Sequence, residues 1–192
     1  MSTKKRKYHS ERRARSKEET VTAILDSAVK LHEQGITSIQ ALANDAGVSV
    51  ASVRKYFPTQ EKLFRGCSAH FYTKQTPPSI ELWEGVADRD DRIRICVERI
   101  YPFLEAAMGV IGLAYRLQDE SEAMKENVMA IERYLDAAVD TVLGGAGQDA
   151  ETRKAVRFIL HPLSYRNMRI HGGLQFDECV KFSSNMLAML IK

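Results

Sequence analysis

Residues 37–64, TSIQALANDAGVSVASVRKYFPTQEKLF, constrain the fold more than any other stretch of the chain. Thr37 and Gln40 have capping-box spacing and predict a helix from Ser38. Ile39, Leu42, Ala43 and Ala46 give that helix one small or apolar face. Gly47 stops it, because a residue without Cβ adopts positive φ at no steric cost. Val48 is placed to plug a core, and Ser49 is a good N-cap for a second helix from Val50 to about Phe57. Pro58 ends that second helix. Two short helices joined by a tight glycine turn form a helix-turn-helix. In the second helix Val53 and Phe57, at i and i+4, point inward. Val50, Ala51, Ser52, Arg54 and Lys55 are left outward or lateral. Small residues at the start of a helix allow close approach to a major groove, and two cations in its middle suit phosphates or base edges.

Charge is distributed to match. The net charge is +3, but residues 1–75 carry fourteen Lys/Arg against seven Asp/Glu, whereas residues 76–192 carry fourteen against eighteen. A basic half holding a helix-turn-helix, joined to an acidic half, is the electrostatic footprint of a nucleic-acid-binding module with a partner domain. Residues 1–16 hold seven cations and one acid and cannot bury enough apolar surface to fold alone. They read as a disordered arm, either a solvated tail or a segment lying along DNA in the minor groove.

The order Thr37, Ala43, Ala46-Gly47-Val48-Ser49, Tyr56-Phe57, Glu61, Leu63 resembles the TetR family of one-component transcriptional regulators. The close match spans about 28 residues, 37–64, and the length and helical pattern of the remainder are similar. Ala51 replaces a glycine often found there. Arg54 stands where tyrosine is usual, after Val53 in place of leucine, and Gln60 stands where a phosphate-binding lysine is common. The resemblance implies an all-α protein: an N-terminal three-helix helix-turn-helix DNA-binding domain and a C-terminal helical ligand-binding and dimerisation domain. It further implies a homodimer on a palindromic double-stranded operator, most often repressing, and released by a small molecule. DNA contacts are expected from Gln40, Ser49, Val50, Ala51, Ser52, Arg54, Lys55, Tyr56 and Gln60. A capping role competes with a DNA role at Gln40, and packing competes with phosphate contact at Tyr56.

Along the chain, Ser16-Lys17-Glu18-Glu19 is a second capping box, so the first ordered helix is expected near Lys17, ending at Gly35. Thr59 should cap a fourth helix running to about Gln75. Thr76-Pro77-Pro78-Ser79 breaks the helical pattern and sets the domain boundary, giving a head at 17–75 and a body at 76–192. Ile80–Val86 is expected to form a short helix, and Asp88–Asp91 a charged turn. Further helices are predicted at 92–107, kinked at Pro102, and at 109–114 and 121–143. A flexible Gly144-Gly145-Ala146-Gly147 loop follows, then helices at 150–171, kinked at Pro162, and 176–190. By the resemblance, the last two form the dimer interface, and Ala155, Ser164, Ser183 and Ser184 would let helices approach.

No motif of nucleotide, metal or nucleophilic catalysis occurs, so no catalytic residue, metal ligand or cofactor is assigned. His161 and His171 are ten apart on one predicted helix, a spacing that does not place them on one face. Cys67, Cys96 and Cys179 are scattered, odd in number and expected to be packed, which fits a reducing cytoplasm. No apolar run approaches the roughly 20 residues that cross a bilayer, and the basic N-terminus does not read as a secretory signal. The body holds bulky soft side chains, Trp83, Tyr101, Phe103, Met108, Tyr115, Met124, Met129, Tyr134 and Tyr165. They could line an effector cavity or simply fill a core. Two other readings stand beside the regulator. One is a helical small-molecule-binding protein or enzyme without specific DNA binding. The other is a non-specific nucleic-acid binder driven by the basic arm.

Overall fold

The computed structural model describes residues 2–144 and 149–191, with side chains from Arg15 onward. Among these there are nine α-helices, one short 3-10 turn and no strands. The Gly144–Gly147 loop of the sequence reading falls largely outside the described residues.

The helices are α1 (Ser2–Glu33), α2 (Ile39–Asp45), α3 (Val50–Tyr56), α4 (Gln60–Lys74), α5 (Arg89–Leu117), α6 (Glu122–Leu143), α7 (Ala150–Leu160), α8 (Pro162–Ile170) and α9 (Phe176–Leu190). The first correction is at the N-terminus. α1 starts at Ser2, so the segment read as a disordered arm continues the helix. Residues 2–33 contain no glycine or proline and are rich in Lys, Arg and Glu, all good helix formers. Ser16 is therefore not a cap: its carbonyl accepts from Thr20 Oγ1 within the helix, and Arg15 pairs with Glu19 one turn on.

Head and body have separate apolar clusters. Ile24, Ala28 and Leu31 of α1 close on Leu42 and Ala43 of α2, Val53 of α3, and Leu63 and Cys67 of α4. The cap of α2 is Ser38 and not Thr37, with Ala41 N–H donating to Ser38 Oγ at 3.4 Å. The turn is as expected. Gly47 has φ +65°, and Ser49 Oγ accepts from Ser52 N–H at 3.0 Å. Thr59 Oγ1 caps α4 in the same way, accepting from Lys62 N–H at 3.2 Å.

The body is built round α5, which packs against α1, α6, α8 and α9. Its N-cap is Asp88, whose carboxylate accepts from Asp91 N–H at 2.8 Å, so the expected charged turn is a helix start. α5 then runs without a break through Pro102, Gly109 and Gly112, so the segment at 109–114 expected as a separate short helix is part of it. Pro102 is exposed, so the carbonyl it leaves unpaired one turn back stays near water. By length and mean hydropathy alone α5 would be long and apolar enough to cross a membrane, although its apolar residues do not form one unbroken run. Here ten of its residues, among them Ile93, Val97, Ile100 and Leu104, are buried inside the bundle.

Pro162 behaves differently from Pro102. It separates α7 and α8 outright, correcting the single kinked helix expected over 150–171. His161 takes an extended backbone, φ −66° and ψ 134°, as residues before proline tend to. Its Nδ1 then accepts from Leu163 N–H at 3.1 Å and caps α8. Ile80–Leu82 form only a 3-10 turn, which seats Trp83 at 0% exposure.

Candidate nucleic-acid interface and effector cavity

α3 is held by its inner face. Val53 is fully buried, and the Phe57 ring lies against Gly66 of α4, where a Cβ would stand 2.9 Å from ring carbon Cε1. The outer face carries Ala51, Arg54 and Lys55, all exposed, with Val50 and Ser52 half-buried beside them. Arg54 and Lys55 make no ion pair among the described residues. Both cations thus remain free for an anionic partner. Lys55 Nζ stands 5.4 Å from the centroid of the half-buried Tyr56 ring.

The other expected contact residues are in different states. Ser49 Oγ is occupied by capping and lies 2.9 Å from Ser52 Oγ. Gln40 is exposed on α2, where its amide donates to Asn44 at 3.0 Å, so the capping role weighed for it is not taken. Gln60 is exposed at the first position of α4.

Two connections join the head to the body. On α4, Arg65 forms a two-armed ion pair with Glu126 of α6, and Asn127 donates to Ser68 Oγ at 2.6 Å. Glu61 accepts from Ala123 N–H at 2.9 Å at the start of α6. The Ser121 hydroxyl and that amide hold the Glu61 carboxyl below the usual range. Phe64 is buried between the helices with Ala114, Met124 and Val128. Just past the end of α1, the Gly35 carbonyl accepts from Arg116 of α5 at 3.0 Å. Asp26 joins α1 to α4 by accepting from His70 and Lys74.

Within the body, a cavity of about 200 Å³ opens where α4, α5, α6 and the α7–α8 break meet. Tyr72 enters it from α4 and Pro77 from the linker. Ile100, Phe103, Leu104 and Ile111 line it from α5, Ile131, Tyr134 and Leu135 from α6, and Leu160 and Pro162 from the break. Among the described residues no charged side chain lines it. The Tyr134 hydroxyl donates to the Pro78 carbonyl at 2.9 Å, which fastens the linker to α6.

Only Tyr134 and Phe103 of the bulky residues singled out from the sequence line this cavity. Trp83, Tyr101 and Tyr165 are core, each at 0% exposure, and Met124 is packed in the α4–α6 cluster. Tyr101 and Tyr165 meet edge to face at 4.7 Å. Tyr115 turns its hydroxyl to Glu132, Met108 is half-buried elsewhere on α5, and Met129 is exposed. Helical periodicity could not separate these roles, because core and cavity lining share the same apolar spacing. Tyr72, Ile100, Ile111, Ile131, Leu160 and Pro162 were missed for the same reason.

Glu132 gathers a polar cluster near His161: it accepts from Tyr115 and Arg157, and His161 Nε2 lies 3.3 Å away. Burial acts to raise the Glu132 pKa, but these three partners outweigh it and hold the carboxyl below its usual range. The cluster is fully partnered and joins α5, α6 and α7. His161 and His171 do not converge, since His171 lies exposed beyond α8. No metal-binding group of His, Cys, Asp or Glu occurs among the described residues. The three cysteines are free and buried, with burial pushing Cys67 up to about 12 and Cys96 and Cys179 upward as well, which keeps the thiols protonated.

A family model described as the helix-turn-helix domain of resolvase matches residues 4–60, that is, α1 through the first position of α4. The head is a helix-turn-helix DNA-binding domain. Among solved structures the fold is similar to the crystal structure of a TetR transcription regulator from Haloarcula marismortui ATCC 43049. The TM-score is 0.65 at 15% identity, over 91% of this chain and 97% of that one. The likeness establishes the all-α architecture with an N-terminal helix-turn-helix head. No curated protein matches the sequence significantly.

Proposed function

We propose that the protein is a DNA-binding transcription regulator of the TetR type. In this reading a homodimer binds a palindromic operator and represses until a small molecule releases it. The observation that carries the proposal is the outer face of α3. It offers Arg54 and Lys55 without acidic partners among the described residues, on a short helix fixed from behind by Val53 and Phe57. We assign Arg54 to a base edge or phosphate, Lys55 and Tyr56 to phosphate, and Val50 and Ala51 to thymine methyls. Ser52, Gln40 and Gln60 complete the polar contacts, and Ser49 contributes by fixing the start of α3.

The N-terminal part of α1 adds charge. A helix about 10–12 Å across does not enter a minor groove about 6 Å wide, so we assign residues 2–15 to the phosphate backbone. This replaces the minor-groove alternative. We place the boundary between head and body at about residue 76 and the second protomer on α7–α9. Phe182 and Met189, seven apart on α9, are 48% and 76% exposed, and Phe158 of α7 is 71% exposed. Apolar groups so exposed favour a covered face. Ser183, expected at that interface, instead turns inward, with Oγ 2.6 Å from the Tyr101 hydroxyl. The effector occupies the 200 Å³ cavity and acts through Tyr72 on α4, and so on the spacing of the two heads. Work on DNA places the protein in the cytoplasm.

The test is selection of bound DNA from a random pool with the full-length protein. Enrichment of a palindrome with half-sites about 34–36 Å apart is expected. Enrichment of no motif would overturn the reading in favour of a helical binding protein or enzyme. DNA binding that shows no sequence preference and is abolished when residues 2–15 are deleted would favour non-specific binding by the arm, whereas the regulator reading expects weakened binding with preference retained.

A further inference from the structure

The lining of the body cavity restricts what can occupy it. We infer that its ligand is a compact, uncharged molecule, a single aromatic ring with one or two small substituents, carrying one polar group that meets the Tyr72 hydroxyl. The inference deepens the proposed effector role and rests on it for its regulatory meaning, though not for the binding itself.

Size comes first. An apolar cavity of about 150 Å³ holds a benzene molecule. A volume of about 200 Å³ therefore has room for a substituted ring, and it is below the roughly 300–1,000 Å³ of sites for drug-sized ligands. Charge comes second. The walls include Phe103, Ile111, Ile131 and Leu160 and no ionisable side chain other than tyrosine, so nothing there would compensate a carboxylate or an ammonium. The nearest polar cluster, around Glu132, is already satisfied by Tyr115 and Arg157.

The polar group is placed by elimination within the lining. Among the lining residues only Tyr72 and Tyr134 carry side-chain hydroxyls. Tyr134 spends its proton on the Pro78 carbonyl at 2.9 Å. The Tyr72 hydroxyl has no hydrogen-bond partner among the described residues, although the side chain is half-buried. A ligand hydroxyl or carbonyl reaching Tyr72 would supply that partner, and Tyr72 is the residue that α4 sends into the cavity.

The experiment is titration calorimetry of the full-length protein at pH 7 with 4-methylphenol, toluene and 4-methylbenzoate. The two neutral rings should bind saturably at one site per chain, 4-methylphenol the tighter, and 4-methylbenzoate should bind at least about tenfold more weakly. Tyr72→Phe should bring 4-methylphenol down to the level of toluene. Ile131→Trp, which fills the cavity, should abolish binding of both, with circular dichroism confirming that each variant folds. If Ile131→Trp does not fold, Tyr72→Phe still decides the polar contact and 4-methylbenzoate the charge. Binding of 4-methylbenzoate equal to that of 4-methylphenol, or no binding of either neutral ring, would overturn the inference. A protein that selects a palindrome yet binds neither ring would lose this ligand assignment and keep the regulator reading. One that binds the rings but selects no DNA would do the reverse.

Discussion

Gly109 of α5 lies directly beneath the backbone of Glu33, the last residue of α1: a Cβ placed on it would stand 2.5 Å from the Glu33 carbonyl oxygen. Backbone cannot yield as a flexible side chain can. Gly109→Ala is therefore expected to push α1 off α5 and destabilise the protein by about 1–3 kcal/mol. Gly112, three residues on in the same helix, supplies the control. Its Cβ would meet only the Arg166 side chain, at 3.5 Å. Gly112→Ala should be neutral or stabilising by roughly 0.5–1 kcal/mol, because alanine is the better helix former. Urea denaturation of both variants decides the matter, and equal effects would refute the close-approach account.

Arg54 and Lys55 should separate by what they read. If Arg54 contacts a base, Arg54→Ala loses roughly 1–3 kcal/mol of discrimination at one operator position. Lys55→Ala should weaken binding to all sequences alike and lower the salt slope by about 1. Titrations on a set of single-base operator variants at two salt concentrations measure both, and no effect of either substitution on any DNA would remove α3 from the interface.

His32 makes the head sensitive to acid. It is 3% exposed, packed against Phe64, with Nδ1 3.2 Å from Cys67 Sγ. Burial lowers its pKa from 6.5 to about 4. The unfolded chain therefore binds the proton more readily than the folded one between these values. Stability from this residue is complete above about pH 6.5 and is lost as pH falls toward 4. The loss is on the order of 3 kcal/mol at most. His32→Gln should flatten that part of the stability profile in urea titrations at pH 4.5 and 7, and an unchanged slope would place the acid response elsewhere.

Phe182→Glu combined with Met189→Glu should prevent pairing of subunits if α9 is the dimer face, since each would bury an unpaired carboxylate. Sedimentation should show a folded monomer, and operator affinity should fall with it. A dimer that survives both changes would move the interface off this face.

Much of the head was legible because its signals are local. Gly47, Ser49 and Thr59 act on their own turns, and each does so as its residue type requires. The error of one residue at Ser38 was of the same kind, since Thr37 and Ser38 are both competent caps. The arm was misread because a high charge and low apolar content argue against a core, not against a helix continuous with one. In the body the two internal prolines looked alike in sequence. Pro102 lies at the surface of α5 and is tolerated, while Pro162 is buried and comes with a capping histidine that ends α7.

The sequence by itself determined the core of most helical segments, the caps of α3 and α4, and which face of α3 turns outward. Caps, positive-φ glycines and apolar periodicity act within a few residues and need no partner to be read. The tertiary structure alone decided which side chains share a space. Tyr72, Phe103, Ile131, Tyr134 and Leu160 come from four helices up to 88 positions apart in the chain, yet line one cavity. Tyr101 and Trp83, with the same apolar spacing, are sealed in the core. Whether an apolar residue fills space or borders it depends on the fit between helix surfaces, and that fit exists only once the helices are packed.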